Sequence, residues 1–337
     1  MSRGEFAVRL AMCALAVACA LILYYLVGVL LILFAALLVA LAIHALADPF
    51  VNRFDIRRGR ALVASGMAIV LVPLAIVAAF GSELSAQMTL AVQNFPTTSA
   101  EIADLLAMSG IPPEMLARLG QLDIAEPLAR FAAETVANAV ELMAAGILAI
   151  ATGCYLAAQP RTYLDGLLAF VSLQRRMAIE AFCIDLSTEL KHWLVAQIVL
   201  MVMVGTLTGL GAWILGVPAP LALGITAGLL EVVPYLGPVL ATVPAFALGM
   251  SISIEVAALM MVWIFAVQQL EGLVLTPLVL KRAVRLPPAV SLLALVAAGI
   301  LLGPVGVLLA APAAVVGYVV YRRYTANHNS SNHLPSV

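Results

Sequence analysis

Residues 231–238 interrupt a long apolar stretch and read Glu231-Val232-Val233-Pro234-Tyr235-Leu236-Gly237-Pro238. Each proline removes a main-chain donor and clashes with the preceding helical turn. The apolar limbs on either side have about a dozen residues, or about 20 Å of helix at 1.5 Å per residue, against a hydrocarbon core of roughly 30 Å. The sequence therefore predicts a broken, re-entrant membrane segment over 221–250, with a kinked full span as the alternative.

A second apolar stretch, 287–320, is also too long for one span and is interrupted in the same way. Its limbs are slightly longer, so a tilted full hairpin would also fit. The first hairpin would open to the outside and the second to the inside, and two broken segments of opposite orientation indicate a transporter's central site. The predicted breaking or hinge residues of the second segment are Gly303, Pro304, Gly306 and Pro312.

The composition places the remaining chain in a membrane as well. Of the 337 residues 64% are hydrophobic and 10% are charged, whereas a soluble domain carries roughly 25% charged residues. A spanning helix needs about 20 apolar residues. We therefore predict an all-α polytopic membrane protein with about six full transmembrane helices and two broken segments. The full spans are expected near 10–24, 29–47, 61–80, 136–157, 193–215 and 255–275, the first two joined by a tight outer turn at Tyr24 and Tyr25.

The positions of Lys and Arg predict the orientation, because short cytoplasmic loops are enriched in them. With the N-terminus inside and both broken segments re-entrant, all of the 17 Lys and Arg residues except Arg118 and Arg130 lie inside. The expected location is the inner (plasma) membrane, with both termini cytoplasmic. The expected divisions are N-terminal membrane helices 1–3 (1–81), an acidic outer helical domain (82–135), membrane helix 4 (136–158), a cytoplasmic amphipathic helical segment (159–192), a C-terminal membrane core (193–321) and a cytoplasmic tail (322–337).

Four polar residues in the C-terminal core are the predicted pathway or coupling residues: Glu231, Gln268, Gln269 and Glu271. A charged side chain at the bilayer centre costs about 2.5–3.5 kcal/mol on insertion scales, so it usually faces a cavity, a partner or an ion. Glu231 lies three residues before Pro234, where a broken helix leaves carbonyl oxygens free for a cation or a polar solute. Gln268 and Glu271 share a helix face. The alternative is that these groups only form structural hydrogen bonds within the bundle.

Sequence motifs for catalysis or cofactor binding are missing. The chain contains no HExxH, GxSxG, Walker A or CxxC sequence, so no nucleophile, metal site or phosphate loop is indicated. We expect no enzyme activity, no catalytic or metal-binding residues, no cofactor and no nucleic-acid partner.

The order of motifs in the C-terminal third resembles the autoinducer-2 exporter family of permeases. The resemblance begins with the Pro234-Tyr235-Leu236-Gly237-Pro238 segment and continues through Gln268-Gln269-Leu270-Glu271, Pro277, Leu286-Pro287, Gly303-Pro304-Val305-Gly306 and Pro312. It implies export of a small polar signalling molecule such as autoinducer-2 by a homo-oligomer. For some members it implies exchange of sodium or lithium against protons.

Three functions are therefore considered. The first is a secondary transporter that exports a small polar solute across the lipid bilayer. The second is a monovalent cation/proton antiporter, with Na⁺ or Li⁺ exchanged against a proton. The third is a membrane scaffold whose outer domain recruits partners. The broken segments and their acids argue against the scaffold, because carboxylates are costly in lipid.

Overall fold

A computed structural model of the chain describes residues 3–76, 78–82, 86, 143–279 and 287–332. These residues form helices joined by short connections, and no strand occurs among them. Five helices in these ranges are long and apolar enough to cross a membrane, or six if one bent pair is counted as a single span. The predicted all-α polytopic fold is confirmed. The predicted outer domain (82–135) lies almost wholly outside the described residues.

The first helix, α1 (Arg3–Phe54), is continuous over 52 residues, about 78 Å at 1.5 Å per residue. The prediction of two helices and a tight turn at Tyr24 and Tyr25 was therefore wrong. No proline lies near these tyrosines, and the nearest glycine, Gly28, is a single one that a helix tolerates. Continuing the helix also satisfies every main-chain hydrogen bond in an apolar surrounding. The predicted orientation counted two membrane crossings between the N-terminus and Arg53. Because one helix replaces these two, the N-terminus is no longer expected on the same side as Arg53.

Two more N-terminal helices pack beside α1. They are α2 (Arg58–Ser82) and α3 (Met143–Ala158), and α3 is followed after a bend of 89° by the short helix α4 (Pro160–Ala169). A Cβ atom built on Gly153 of α3 would lie 2.8 Å from the carbonyl oxygen of Ala36 in α1. The absence of a side chain at Gly153 therefore lets these two helices touch through their main chains.

Helix α5 (Leu173–Ile214) and helix α6 (Pro220–Leu230) pack against each other extensively. Each contributes a Gly-x-x-x-Gly pair, Gly205 with Gly209 and Gly224 with Gly228. A Cβ atom on Gly205 would lie 2.7 Å from the Gly224 carbonyl oxygen. Small residues at this spacing let membrane helices approach closely, so α5 is a fixed support for α6.

After α6 the chain breaks and restarts as α7 (Leu236–Met250). Helix α8 (Ile254–Leu270) follows, and the hydroxyl of Ser253 accepts a hydrogen bond from the N–H of Val256 at its first turn. The helix widens into a π-helical turn at Glu271–Leu275 and ends with one α-helical turn, Thr276–Val279.

The last helix, α9 (Pro288–Asn332), is sharply bent at Gly303, whose backbone has φ 64° and ψ −154°. A Cβ atom on Gly306 would collide with the carbonyl oxygen of Ala298. In a straight helix these two residues would be about 12 Å apart along the axis. The limbs before and after Gly303 therefore fold towards each other at the predicted breaking residues.

Within the described part of the chain, three ion pairs join the N-terminal half of α5 to α1 and α9. Lys191 pairs with Asp48 at 2.8 Å, Glu189 with Arg322 at 3.1 Å and Asp185 with Arg323 at 3.2 Å. Exposed pairs of this kind contribute little to stability, but they define which ends lie together. The C-terminal end of α1, the N-terminal half of α5 and the C-terminal end of α9 are thus at one end of the bundle. Beside them lies a core cluster made of Leu38, Leu41, Leu190, Leu309, Val315 and Val319.

Candidate functional site

The break between α6 and α7 is a tight turn around Tyr235. The N–H of Leu236 donates to the carbonyl oxygen of Pro234 at 2.9 Å, and Tyr235 between them has φ 68° and ψ −43°. This three-residue turn is rare, and a residue with a side chain held in such a conformation costs about 1–3 kcal/mol. Strained conformations of this kind cluster at functional sites.

Gly237 allows the chain to fold back at this break. A Cβ atom at this position would overlap the carbonyl oxygen of Leu230, the last residue of α6. The start of α7 therefore lies directly against the end of α6. The sequence of two prolines and one glycine produces a compact break rather than a gradual kink.

A cavity of about 560 Å³ lies beside the break. Four parts of the chain enclose it: α5, the α6–α7 break with the start of α7, the end of α8 and both limbs of α9. Its polar or ionisable lining residues are Trp193, Gln197, Glu231, Tyr235, Gln268, Glu271, Thr276 and Ser291. One lining residue, Trp193, follows Lys191 by two positions, so this part of the lining is close to the end of the bundle that carries the ion pairs.

The two acids of the cavity are Glu231 and Glu271. Glu231 is 1% exposed, and its Oε2 atom has no hydrogen-bond partner within the described residues. Glu271 is half-buried. No Lys, Arg or His is found among the described lining residues. A buried carboxylate needs a compensating partner, and here a proton, a cation or a donor group of a solute can supply it.

Gln197 of α5 holds the main chain of the break. Its Nε2 atom donates to the carbonyl oxygen of Glu231 at 2.6 Å, and the side chain is buried, with 6% of the residue exposed. Gln197 was not among the predicted site residues. A single amide in the apolar stretch that follows Trp193 was the available sequence signal.

The π-helical turn places the polar residues of α8. Gln268, Glu271 and Thr276 all line the cavity, and Glu271 is the first residue of the turn. Turns of this type inside α-helices are rare and are often found at functional sites. No sequence pattern indicated it.

The remaining predicted residues lie elsewhere. Gln269 is exposed and is not part of the cavity lining. Among the predicted hinge residues, Pro234, Tyr235 and Pro238 line the cavity, whereas Gly237 is buried within the break. The α9 residues Gly303, Pro304, Gly306 and Pro312 shape the bend and the limb behind it and are not among the lining residues.

A larger groove of about 790 Å³ runs along α5 and α6 over the four packed glycines. Its lining is apolar except for Thr206 and the indole of Trp213, and the Thr206 hydroxyl already donates to the carbonyl oxygen of Val202. It offers no ionisable group within the described residues. The smaller cavity with the two acids is therefore the better candidate site.

An all-α membrane fold with a polar, acidic cavity at a helix break defines a multi-pass membrane protein of the transporter class. A family model described as "AI-2E family transporter" matches residues 6–326. The chain belongs to this family, which confirms the resemblance that its motifs indicated.

Individual relatives match over part of the chain. "Putative transport protein YrrI" of Bacillus subtilis (strain 168) is 36% identical over 136 residues, which cover 40% of this chain and 38% of the relative. YueF of the same organism is 34% identical over 143 residues, covering 42% of this chain and 38% of that protein. A "Putative transport protein" of Thermotoga maritima is 29% identical over 126 residues, which cover 37% of this chain and 39% of that protein. In each case the chain spans less than two fifths of the relative's length.

Proposed function

We propose that this chain exports a small polar solute across the plasma membrane through the cavity that contains Glu231 and Glu271. The observation that carries the proposal is Glu231 itself. The residue is almost fully buried, its carboxyl group has an oxygen without a partner in the described residues, and it is one of the residues that line the cavity at the helix break. A group with a purely structural role would have its hydrogen bonds satisfied within the protein.

The chemistry of the lining favours one class of solute. Two acids, two amides, a tyrosine and two hydroxyl side chains offer hydrogen-bond donors and acceptors, while no basic side chain is present among the described lining residues. An anion would therefore have no positively charged side chain to pair with among these lining residues. A neutral solute that carries several hydroxyl groups fits this lining, and autoinducer-2 is the candidate that the family name suggests.

The proposed orientation places the basic end of the bundle in the cytoplasm. The end of the bundle that carries Arg53, Lys191 and Arg322 is rich in basic residues, which are typical of the cytoplasmic side. The lining residue Trp193 is close to Lys191 in the sequence, near this same end. We propose in addition that the cavity opens to the cytoplasm and takes up its solute from that side. The C-terminus is then cytoplasmic, and residues 82–135 form the outer domain.

A cation/proton antiporter is the second candidate. The observation that favours it is the pair of acids in one cavity without a basic partner among the described residues, since such a site can bind Na⁺ or a proton. In either case we propose a homo-oligomer, as the family resemblance implies.

Transport by the purified protein in liposomes separates the two candidates. Export predicts that a proton gradient drives movement of autoinducer-2 and that Na⁺ alone moves no protons. An antiporter predicts that Na⁺ moves protons with no organic solute present. Protein-free liposomes give the background. If neither the solute nor Na⁺ moves above that background, the proposed function is wrong.

A further inference from the structure

Gln197 makes a hydrogen bond that joins helix α5 to the break beside the cavity. Its amide belongs to α5, and the carbonyl oxygen it reaches belongs to Glu231, 34 residues later. Both residues are buried, with 6% of Gln197 and 1% of Glu231 exposed. The bond therefore joins two elements through groups that are buried in the protein.

The break explains why this carbonyl oxygen takes a side-chain donor. In a continuous helix the carbonyl of Glu231 would accept a hydrogen bond from the N–H of Tyr235. Tyr235 instead lies in the tight turn with φ 68°. A buried carbonyl without a donor is strongly unfavourable, and the Gln197 amide removes that penalty from outside the segment.

The packing of α5 on α6 does not depend on the hydrogen bond of Gln197. Gly205 and Gly209 of α5 pack against Gly224 and Gly228 of α6 through main-chain contacts. These contacts fix the position of α5 along α6 as far as the start of the break. Loss of the amide would therefore free the break without separating the two helices.

We propose that Gln197 is a positioning residue for transport: it holds the main chain of the break so that the Glu231 carboxyl group stays in the cavity. This inference rests on the proposed function and adds the group that sets the geometry of its main acid. Gln197 acts through Glu231 and does not need to carry a proton or an ion itself.

The test uses full-length protein in liposomes with Gln197→Leu, which keeps the approximate size and removes the donor. Solute efflux is measured as KM and maximal rate. We expect the KM for autoinducer-2, or for Na⁺ if that is the ion moved, to rise by about tenfold, equivalent to about 1.4 kcal/mol. The matched control is Thr208→Val, a buried position on the same helix that does not line the cavity. It should keep the parent KM.

A second readout follows the break directly and does not require transport. Val232 is 36% exposed within the break, so Val232→Cys can report its mobility by the rate of alkylation. The four native cysteines are replaced by serine in this background. We expect Gln197→Leu to speed the alkylation and Thr208→Val to leave it unchanged. Gln197→Met, which also lacks the donor, replaces Gln197→Leu if the latter fails to assemble.

The outcomes separate this inference from the proposed function. If the parent protein transports and Gln197→Leu keeps both its KM and its alkylation rate, Gln197 does not position the break. If the parent moves no solute or ion but the alkylation rate still rises, the transport proposal fails while the positioning role stands. A KM change without a change in alkylation would also contradict positioning, since the amide would then be acting on the solute.

Discussion

The side-chain amide of Gln197 and the main-chain carbonyl of Glu231 form a 2.6 Å hydrogen bond that ties α5 to the break between α6 and α7. The bond joins the main chain of a buried acid, at the helix break, to the helix α5, which packs closely on α6 through glycines. Because Glu231 lines the cavity at the start of this break, its position depends on a main-chain conformation that is strained at Tyr235.

The close return of α7 onto α6 predicts a large effect at Gly237. A side chain there would overlap the Leu230 carbonyl, so we expect Gly237→Ala to lower the free energy of unfolding by about 1–3 kcal/mol. Gly317→Ala is the control, because a Cβ atom at Gly317 meets nothing within 4 Å. Thermal unfolding of the detergent-solubilised variants measures both. Equal stability of the two variants would contradict the close contact between Gly237 and the carbonyl oxygen of Leu230.

The cavity predicts different reactivity at two positions on the first limb of α9. Ser291 lines the cavity, whereas Val296 is 57% exposed on the surface of the limb. In a background without native cysteines, Ser291→Cys should react with a hydrophilic, membrane-impermeant maleimide. Val296→Cys should react poorly, because lipid surrounds it. The labelling yields are compared on inside-out vesicles and on intact cells.

In the proposed orientation, Ser291→Cys is labelled in inside-out vesicles and protected in intact cells. Labelling only from the outer side would reverse the orientation. Equal, slow reaction of both cysteines from both sides would show that water does not enter the cavity.

The broken segment also predicts the position of the loop after α7. If α6 and α7 form a re-entrant hairpin, residue Ser251 lies on the outer side and Lys281 on the inner side. Reporter fusions at these two positions measure their location, and a fusion after Val337 tests the proposed cytoplasmic location of the C-terminus alongside them. A reporter at Ser251 that reads inside would replace the re-entrant hairpin with a kinked full span.

The sequence was most informative where a residue type limits the backbone. Pro234, Pro238 and Gly303 mark the two bends because proline and glycine have direct conformational effects. The cost of polar groups in lipid was the reason for selecting Glu231, Gln268, Gln269 and Glu271 as pathway residues, and three of these four, all except Gln269, line the same cavity. The sequence prediction failed at Tyr24 and Tyr25, where a change in apolar pattern was taken for a turn although no residue there stops a helix.

Other features depend on contacts that sequence spacing does not contain. The pairing of Gln197 with Glu231 joins residues 34 positions apart through the packing of α5 and α6. The π-helical turn at Glu271–Leu275, from which Glu271 lines the cavity, had no signal in the sequence. Gln269 was predicted together with Gln268 and Glu271, although the i, i+3 spacing of those two residues places Gln269 on another face of a regular helix.

The central claim is that the buried acids take part in transport. Glutamine keeps the size of a glutamate and can still form hydrogen bonds, but it cannot ionise. A structural role should therefore survive Glu231→Gln and Glu271→Gln with a stability loss of about 1 kcal/mol, whereas a coupling role should not. Gln269→Leu is the control, since Gln269 is exposed and outside the cavity.

The most direct measurement is proton-gradient-driven efflux of autoinducer-2, with Na⁺-dependent proton movement beside it, in liposomes that contain the parent protein, Glu231→Gln, Glu271→Gln or Gln269→Leu. The account predicts that all four assemble normally, that Gln269→Leu transports like the parent and that Glu231→Gln abolishes the gradient-driven flux. Parent-like flux and an unchanged pH dependence in both glutamate variants would contradict it and would leave these acids with a structural role only.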